Sequence, residues 1–138
     1  MANFIYDKAR EKFLTGAINW TSDTIKAVLV DTAAYTPAPT THEFLSDIPS
    51  GDRIATSAAL TGKTANSPAG GVADADNVTW PTVTGDPSEA LVLIKDTGSA
   101  ATSPLICYID TATGLPVTPN GGDITVTWDN GSNRIFKL

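Results

Sequence analysis

The residues best suited to chemistry in this chain are one histidine, His42, and one cysteine, Cys107. A neutral imidazole can act as the base for a serine nucleophile, but no Gly-x-Ser-x-Gly turn accompanies His42. Cys107 lies within the apolar run Leu105–Ile109, where burial raises a thiol pKa and suppresses its reactivity. We therefore expect His42 to be a surface loop residue and Cys107 a small core side chain. The sequence indicates no catalytic residue and favours a protein that is not an enzyme.

Metal and phosphate sites are also weakly supported. Zinc usually needs three or four nitrogen or sulfur ligands, which one histidine and one cysteine cannot supply. The stretch Asp74-Ala75-Asp76-Asn77 offers the oxygen ligands that calcium prefers, but it lacks the glycine and glutamate of an EF-hand loop. Gly62-Lys63-Thr64 resembles the end of a phosphate-binding loop, yet Ser57 stands where its first glycine belongs. We expect no metal site and no cofactor, predict a solvated turn at 74–77, and leave open whether that turn binds an ion.

Three tryptophans form a different kind of candidate site, because indole rings stack well on the apolar faces of sugars. Trp128 falls on the apolar face of a predicted strand and is expected in the core. Trp20 follows the predicted helix and Trp80 precedes a proline, so either ring is a candidate for exposure. Anchoring in the core or at an interface is the first interpretation, and carbohydrate binding is the alternative.

Bulk properties restrict the class of protein. The 138 residues suit one domain, 1–138, and carry a formal net charge of −6 with only nine basic residues. Nucleic-acid binding needs a basic footprint that is missing here. No apolar run approaches the roughly 18 residues of a membrane span, and the N-terminus does not resemble a signal peptide. We therefore expect neither a nucleic acid nor a membrane as partner.

The segment 1–17 is the one good helix candidate. Gly16 stands where a C′ residue would end the helix, and Asn3 is a candidate N-cap. The apolar stripe consists of Tyr6, Ala9, Phe13, Leu14 and Ala17. So short a helix must pack its stripe on the body of the protein or on a neighbour.

Residues 22–138 contain short strand-like runs separated by turn residues. The first run, 24–31, is apolar on both faces at 27–30 and is therefore predicted to lie inside its sheet. The other candidates are 53–60, 78–83, 89–95 and 105–110. The pattern favours a mainly all-β chain, an antiparallel β-sandwich or jelly roll of about 6–8 strands. A split-sheet α+β domain is the alternative, and 62–77 is predicted to be a long surface loop.

The C-terminal residues 121–138 are typical of a β-hairpin. The first arm alternates apolar and polar residues through 124–129, and Asn130-Gly131 is the strongest short-range hairpin signal. The return arm has Phe136 and Leu138 on one face and Ile135 on the other. A strand that is apolar on both faces must lie inside a sheet or meet another chain.

Four segments resemble those of a family of small structural proteins encoded by tailed bacteriophages. They are 6–14, 25–32, 42–49 and 122–131, which together sample nearly the whole chain. The resemblance implies a virion component, made in the host bacterial cytoplasm and located on the capsid surface, with a jelly-roll-like fold. Its implied function is capsid decoration, or cementing, in which many copies bridge subunits of the major capsid protein and form a homo-oligomer on the particle.

A tail or fibre component and a carbohydrate- or receptor-binding module of the virion are the alternatives. The candidate contact residues are concentrated in the N-terminal stripe and the terminal strand. They are Phe4, Ile5, Tyr6, Phe13, Leu14, Trp20, Trp80, Ile135, Phe136 and Leu138. If these ends are contact elements, deleting 1–16 or truncating after Asn133 is expected to weaken particle association more than it unfolds the isolated domain.

Overall fold

The computed structural model describes residues 3–138 and shows a mainly β chain with one α-helix. The helix, α1, is Asp7–Leu14, and short 3-10 turns occupy Leu45–Asp47 and Ser50–Asp52. The strands are β1 (Phe4–Ile5), β2 (Ile25–Val30), β3 (Arg53–Thr56), β4 (Val72–Ala73), β5 (Val78–Trp80), β6 (Ala90–Lys95), β7 (Leu105–Ile109), β8 (Ile124–Val126) and β9 (Phe136–Lys137). The all-β class predicted from the sequence is confirmed.

A five-stranded antiparallel sheet forms the centre of the molecule, in the order β1-β7-β6-β2-β3. All of β7, and all of β6 except Lys95, is buried. Successive side chains of a strand point to opposite faces, so this burial means that both faces of the sheet are covered. Strand β2 lies between β6 and β3, as its two-faced apolar run predicts.

Two short antiparallel ladders complete the β structure, with β4 paired to β9 and β5 paired to β8. Trp80 of β5 links its ladder to the main sheet, because its indole nitrogen donates a hydrogen bond of 3.2 Å to the carbonyl of Ala27. The Trp80 side chain is buried. The main sheet and this ladder therefore share one core, in a sandwich-like arrangement.

The predicted C-terminal hairpin is wrong, because its two arms pair with different strands. The first arm contributes β8, which pairs with β5, and the return arm contributes β9, which pairs with β4. Between them, Asp129 accepts a 2.9 Å hydrogen bond from the amide of Gly131, and the left-handed conformation falls at Arg134 with a φ of 47°. The Asn-Gly signal reflects only local backbone preference. Each arm instead forms a ladder with another strand and buries apolar area there.

The helix is shorter than the predicted segment 1–17, because Phe4 and Ile5 are in strand β1. Asn3 is not the N-cap: its amide nitrogen donates to Thr111 Oγ1, and its amide oxygen accepts from the backbone of Asp110. Tyr6 occupies the N-cap position. Phe4 and Ile5 pair with β7 through long-range hydrogen bonds, and they therefore form a strand and not the first turn of the helix.

The predicted end of the helix is confirmed. Gly16 has a φ of 77°, and the amides of Gly16 and Ala17 donate to the carbonyls of Phe13 and Lys12 respectively. These two bonds are the Schellman pattern, which satisfies carbonyls left free in the last turn.

The segment 62–77 is only partly the loop that its composition predicts. It contains β4, which pairs with β9 at Val72↔Lys137 and Ala73↔Phe136, and a bridge between Thr64 and Asp74. This segment thus supplies the intrachain partner of the terminal strand, which the sequence left unassigned.

Candidate contact surface

An aromatic cluster joins the N-terminal helix to the terminal strand. The ring of Phe13 on α1 lies 6.0 Å from that of Phe136 on β9, and Trp20 packs edge-on against Phe136 at 5.2 Å. Trp20 is fixed by a 3.3 Å hydrogen bond from its indole nitrogen to the carbonyl of Asp74. The two candidate contact elements, at opposite ends of the sequence, therefore meet on one side of the fold.

Two leucines next to this cluster in the sequence are exposed. Leu14, the last residue of α1, keeps 89% of its surface accessible, and Leu138 keeps 55%. They are the exposed large hydrophobic side chains among residues 3–138. We call α1, β9 and these two leucines the α1/β9 surface.

The other predicted contact residues are less available. Ile5, Tyr6, Trp20, Trp80 and Phe136 are buried, whereas Phe4, Phe13 and Ile135 are half-buried against the core. Phe4 stacks on Tyr108 with ring centres 5.3 Å apart and meets Tyr6 edge-on at 5.0 Å. Strand β1 is thus held within the chain, and the candidate contact residues reduce to the exposed leucines and their half-buried neighbours.

The tryptophan rings are not available as a sugar platform. Trp20, Trp80 and Trp128 keep 5%, 1% and 4% of their surface. Each indole nitrogen donates to a backbone carbonyl, that of Asp74, Ala27 and Asp76 respectively. The prediction that Trp20 or Trp80 could be exposed is therefore wrong, because long-range packing covers both rings.

His42 is half-buried and hydrogen-bonded, unlike the free surface residue expected. Its ring stacks on Tyr35, whose hydroxyl lies 2.9 Å from His42 Nδ1 and 2.9 Å from the hydroxyl of Tyr6. The amide of Ala38 also donates to Nδ1 at 3.2 Å, so this nitrogen is the unprotonated one. Burial raises the pKa of Tyr35 to about 12. The three side chains therefore form a hydrogen-bonded chain that ties the start of α1 to the 35–42 loop.

Cys107 lies in the core, as predicted, with 1% of its surface accessible. Burial raises the pKa of its thiol far above the ordinary value. A thiol in that state is a poor nucleophile.

Two side-chain oxygens of the 74–77 segment accept hydrogen bonds from the protein. Asp76 Oδ2 accepts from Thr61 Oγ1 at 2.8 Å, and Asn77 Oδ1 accepts from the amide of Trp128 at 3.2 Å. Among residues 3–138, no group of three or more histidine, cysteine, aspartate or glutamate side chains is placed to hold a metal ion. Asp76 and Asn77 are exposed, in agreement with the solvated segment predicted there.

A cavity of about 350 Å³ between β1, β7 and the segment 129–137 was not predicted from the sequence. Three basic side chains line it: Arg10, Arg134 and Lys137. They come from the helix and from the last residues of the chain, so only the packing of α1 against the C-terminal segment brings them together.

No protein-family model matches this sequence, and no curated protein matches it significantly. Within the described part of the chain, no helix has the length and apolar character needed to cross a membrane.

Proposed function

We propose that this protein is a non-enzymatic structural component of a phage virion that decorates the capsid, where it bridges neighbouring subunits of the major capsid protein. The proposal rests on the resemblance of segments 6–14, 25–32, 42–49 and 122–131 to small phage structural proteins. The structure adds a candidate docking element, the α1/β9 surface.

The structural observation that supports this docking element is the contact between Phe13 and Phe136, which places the helix and the terminal strand side by side. Leu14 follows Phe13 directly, and its side chain is almost fully exposed. Burying such a leucine against a partner contributes about 1.5–3 kcal/mol. A copy that touches two capsid subunits needs only modest contacts, because the second contact forms at high effective concentration.

Point substitutions test this surface better than truncations do. Deleting 1–16 removes Tyr6 and Ala9, which are fully buried, and truncating after Asn133 removes β9 with the buried Phe136. Both truncations are expected to unfold the isolated domain as well as to abolish association. Neither truncation would therefore distinguish a role of these ends in the contact from a role in the core.

Leu14→Gln is expected to weaken binding of the purified protein to phage heads that lack it by about ten-fold, the equivalent of about 1.4 kcal/mol. Glutamine keeps the length and helix propensity of leucine but removes its apolar end, so the fold is expected to remain intact. Co-sedimentation with heads measures the affinity, and Leu14→Met is the matched control that keeps an apolar side chain. Equal binding of wild type and Leu14→Gln would show that α1 does not contact the phage head through Leu14.

A tail or fibre component is the alternative, and the same preparation distinguishes the two. Capsid decoration requires the protein on heads from which the tails have been removed. Recovery only with the detached tails would rule out decoration and support the alternative. The carbohydrate-binding alternative is not supported by the residues proposed for it, because Trp20 and Trp80 are buried.

A further inference from the structure

The cavity between β1, β7 and residues 129–137 concentrates positive charge in an acidic protein. Arg10, Arg134 and Lys137 are three of the nine basic residues of the chain. Asp129 is the one carboxylate among the residues that line the cavity. The excess of two positive charges is opposite in sign to the net charge of −6 of the whole molecule.

These cations are only weakly neutralised by the protein. Arg10 Nε lies 4.0 Å from Asp7 Oδ1, at the limit of an ion pair. Lys137 forms no salt bridge with any residue from 3 to 138. Both side chains are therefore available to an external anion.

Arg134 is held in an unusual conformation and has an unsatisfied donor. Its φ of 47° lies in the left-handed region, which a residue with a long side chain rarely adopts. Its Nη1 donates to the carbonyl of Asn130 at 2.6 Å, whereas its Nε is buried without a hydrogen bond and lies 3.9 Å from Asp74 Oδ2. Backbone strain and unpaired buried donors persist where the surroundings fix them, often at binding sites.

Buried side chains also line the cavity. Ile5, Cys107, Ile109 and Phe136 line the cavity and keep less than a tenth of their surface. The cavity volume falls in the range typical of small-molecule sites.

We propose that this cavity binds an oxyanion, a carboxylate or phosphate group on a small ligand, through Arg10, Arg134 and Lys137. A guanidinium fork matches the geometry of either group, and the ammonium of Lys137 adds a point charge. The inference does not rest on the proposed capsid function, because it concerns the isolated chain.

Titration of the full chain with inorganic phosphate and, separately, with succinate at constant ionic strength tests the proposal. Amide resonances of residues 3–5, 107–109 and 129–137 are expected to shift and to saturate with a dissociation constant of about 1 mM or tighter. Saturation by phosphate identifies a phosphate-bearing ligand and saturation by succinate a carboxylate-bearing one, and either supports the site. The absence of saturable shifts with both anions would overturn it.

Three charge-removing variants locate the site. Lys137→Gln and Arg10→Gln change exposed side chains and are expected to keep the fold while weakening binding several-fold each. Lys8→Gln removes the same charge from α1 at a position outside the cavity, where Lys8 pairs with Glu11 at 3.2 Å, and is expected to leave binding unchanged. Equal weakening by all three variants would indicate general electrostatic attraction and refute a defined site.

Discussion

In this protein, burial determines the role of individual side chains more than their chemical type does. Cys107 and Trp80 are residue types that often carry function, yet both lie inside the core. His42 is held in a hydrogen-bonded chain with Tyr35 and Tyr6. Arg134, whose type and position gave no signal, is the strained residue beside the cavity.

The burial of Cys107 leads to a prediction about its reactivity. In the folded protein, alkylation by iodoacetamide is expected to proceed only as fast as the chain opens, because the thiol is covered and its pKa is raised by burial. Adding denaturant is expected to restore rapid labelling, measured by mass spectrometry. Thr125→Cys in a Cys107→Ala background places a thiol at an exposed position and serves as the control. Fast labelling of native Cys107 would show that its strand is accessible.

At the scale of elements, local signals are accurate where the tertiary structure offers no competitor. The end of α1, with Gly16 at the C′ position, depends on hydrogen bonds within one turn, and the structure confirms it. The Asn130-Gly131 hairpin signal is equally local but does not determine the pairing, because β5 and β4 each compete for one arm.

Gly16→Ala is expected to destabilise the protein by about 1–2 kcal/mol, the cost of placing a Cβ in the left-handed region. Nothing lies within 4 Å of the added methyl group, so the cost is one of backbone conformation. Gly51→Ala is the matched control, since Gly51 also faces open space and its φ lies outside the left-handed region. Chemical denaturation measures both variants, and equal stability of the two would contradict the assigned helix end.

At the scale of the whole molecule, charged residues are few, and several of them form salt bridges. Lys26 bonds Asp96 at 2.7 Å, Lys95 pairs with Asp23 at 3.2 Å, and Lys12 pairs with Glu43. The Lys26–Asp96 and Lys95–Asp23 pairs anchor the ends of β2 and β6 to their flanking loops. Within residues 3–138, three basic residues form no salt bridge: Lys137 lines the cavity, whereas Arg53 and Lys63 lie outside it.

The paired carboxylates predict loss of stability in acid. The hydrogen bond from Lys26, with one from the amide of Gly98, lowers the pKa of Asp96 below its ordinary value of 3.8. Burial alone would raise the pKa of Asp47, but hydrogen bonds from the amides of Glu43 and Phe44 bring it below that value. A depressed folded-state pKa contributes stability that is complete above the unfolded-state pKa and is lost as the pH falls through the folded-state value.

We therefore expect the urea midpoint to be constant at mildly acidic pH and to fall as the pH drops below about 4. Asp96→Asn is expected to reduce this fall, because the variant has no carboxylate to protonate. Asp86→Asn makes the same charge change at an exposed position and is expected to leave the fall unchanged. A midpoint that does not change down to about pH 2 would contradict the pairing.

By itself, the sequence determined the all-β class, the buried strands β2, β6 and β7, the core position of Cys107 and the end of α1. These features depend on short apolar runs and local backbone bonds, which neighbouring residues specify. The tertiary structure alone decided that the terminal arms separate, that Phe13 meets Phe136 and that Arg10, Arg134 and Lys137 surround one cavity. The physical reason is that contacts between distant segments depend on competition among all available partners, which no short stretch of sequence contains.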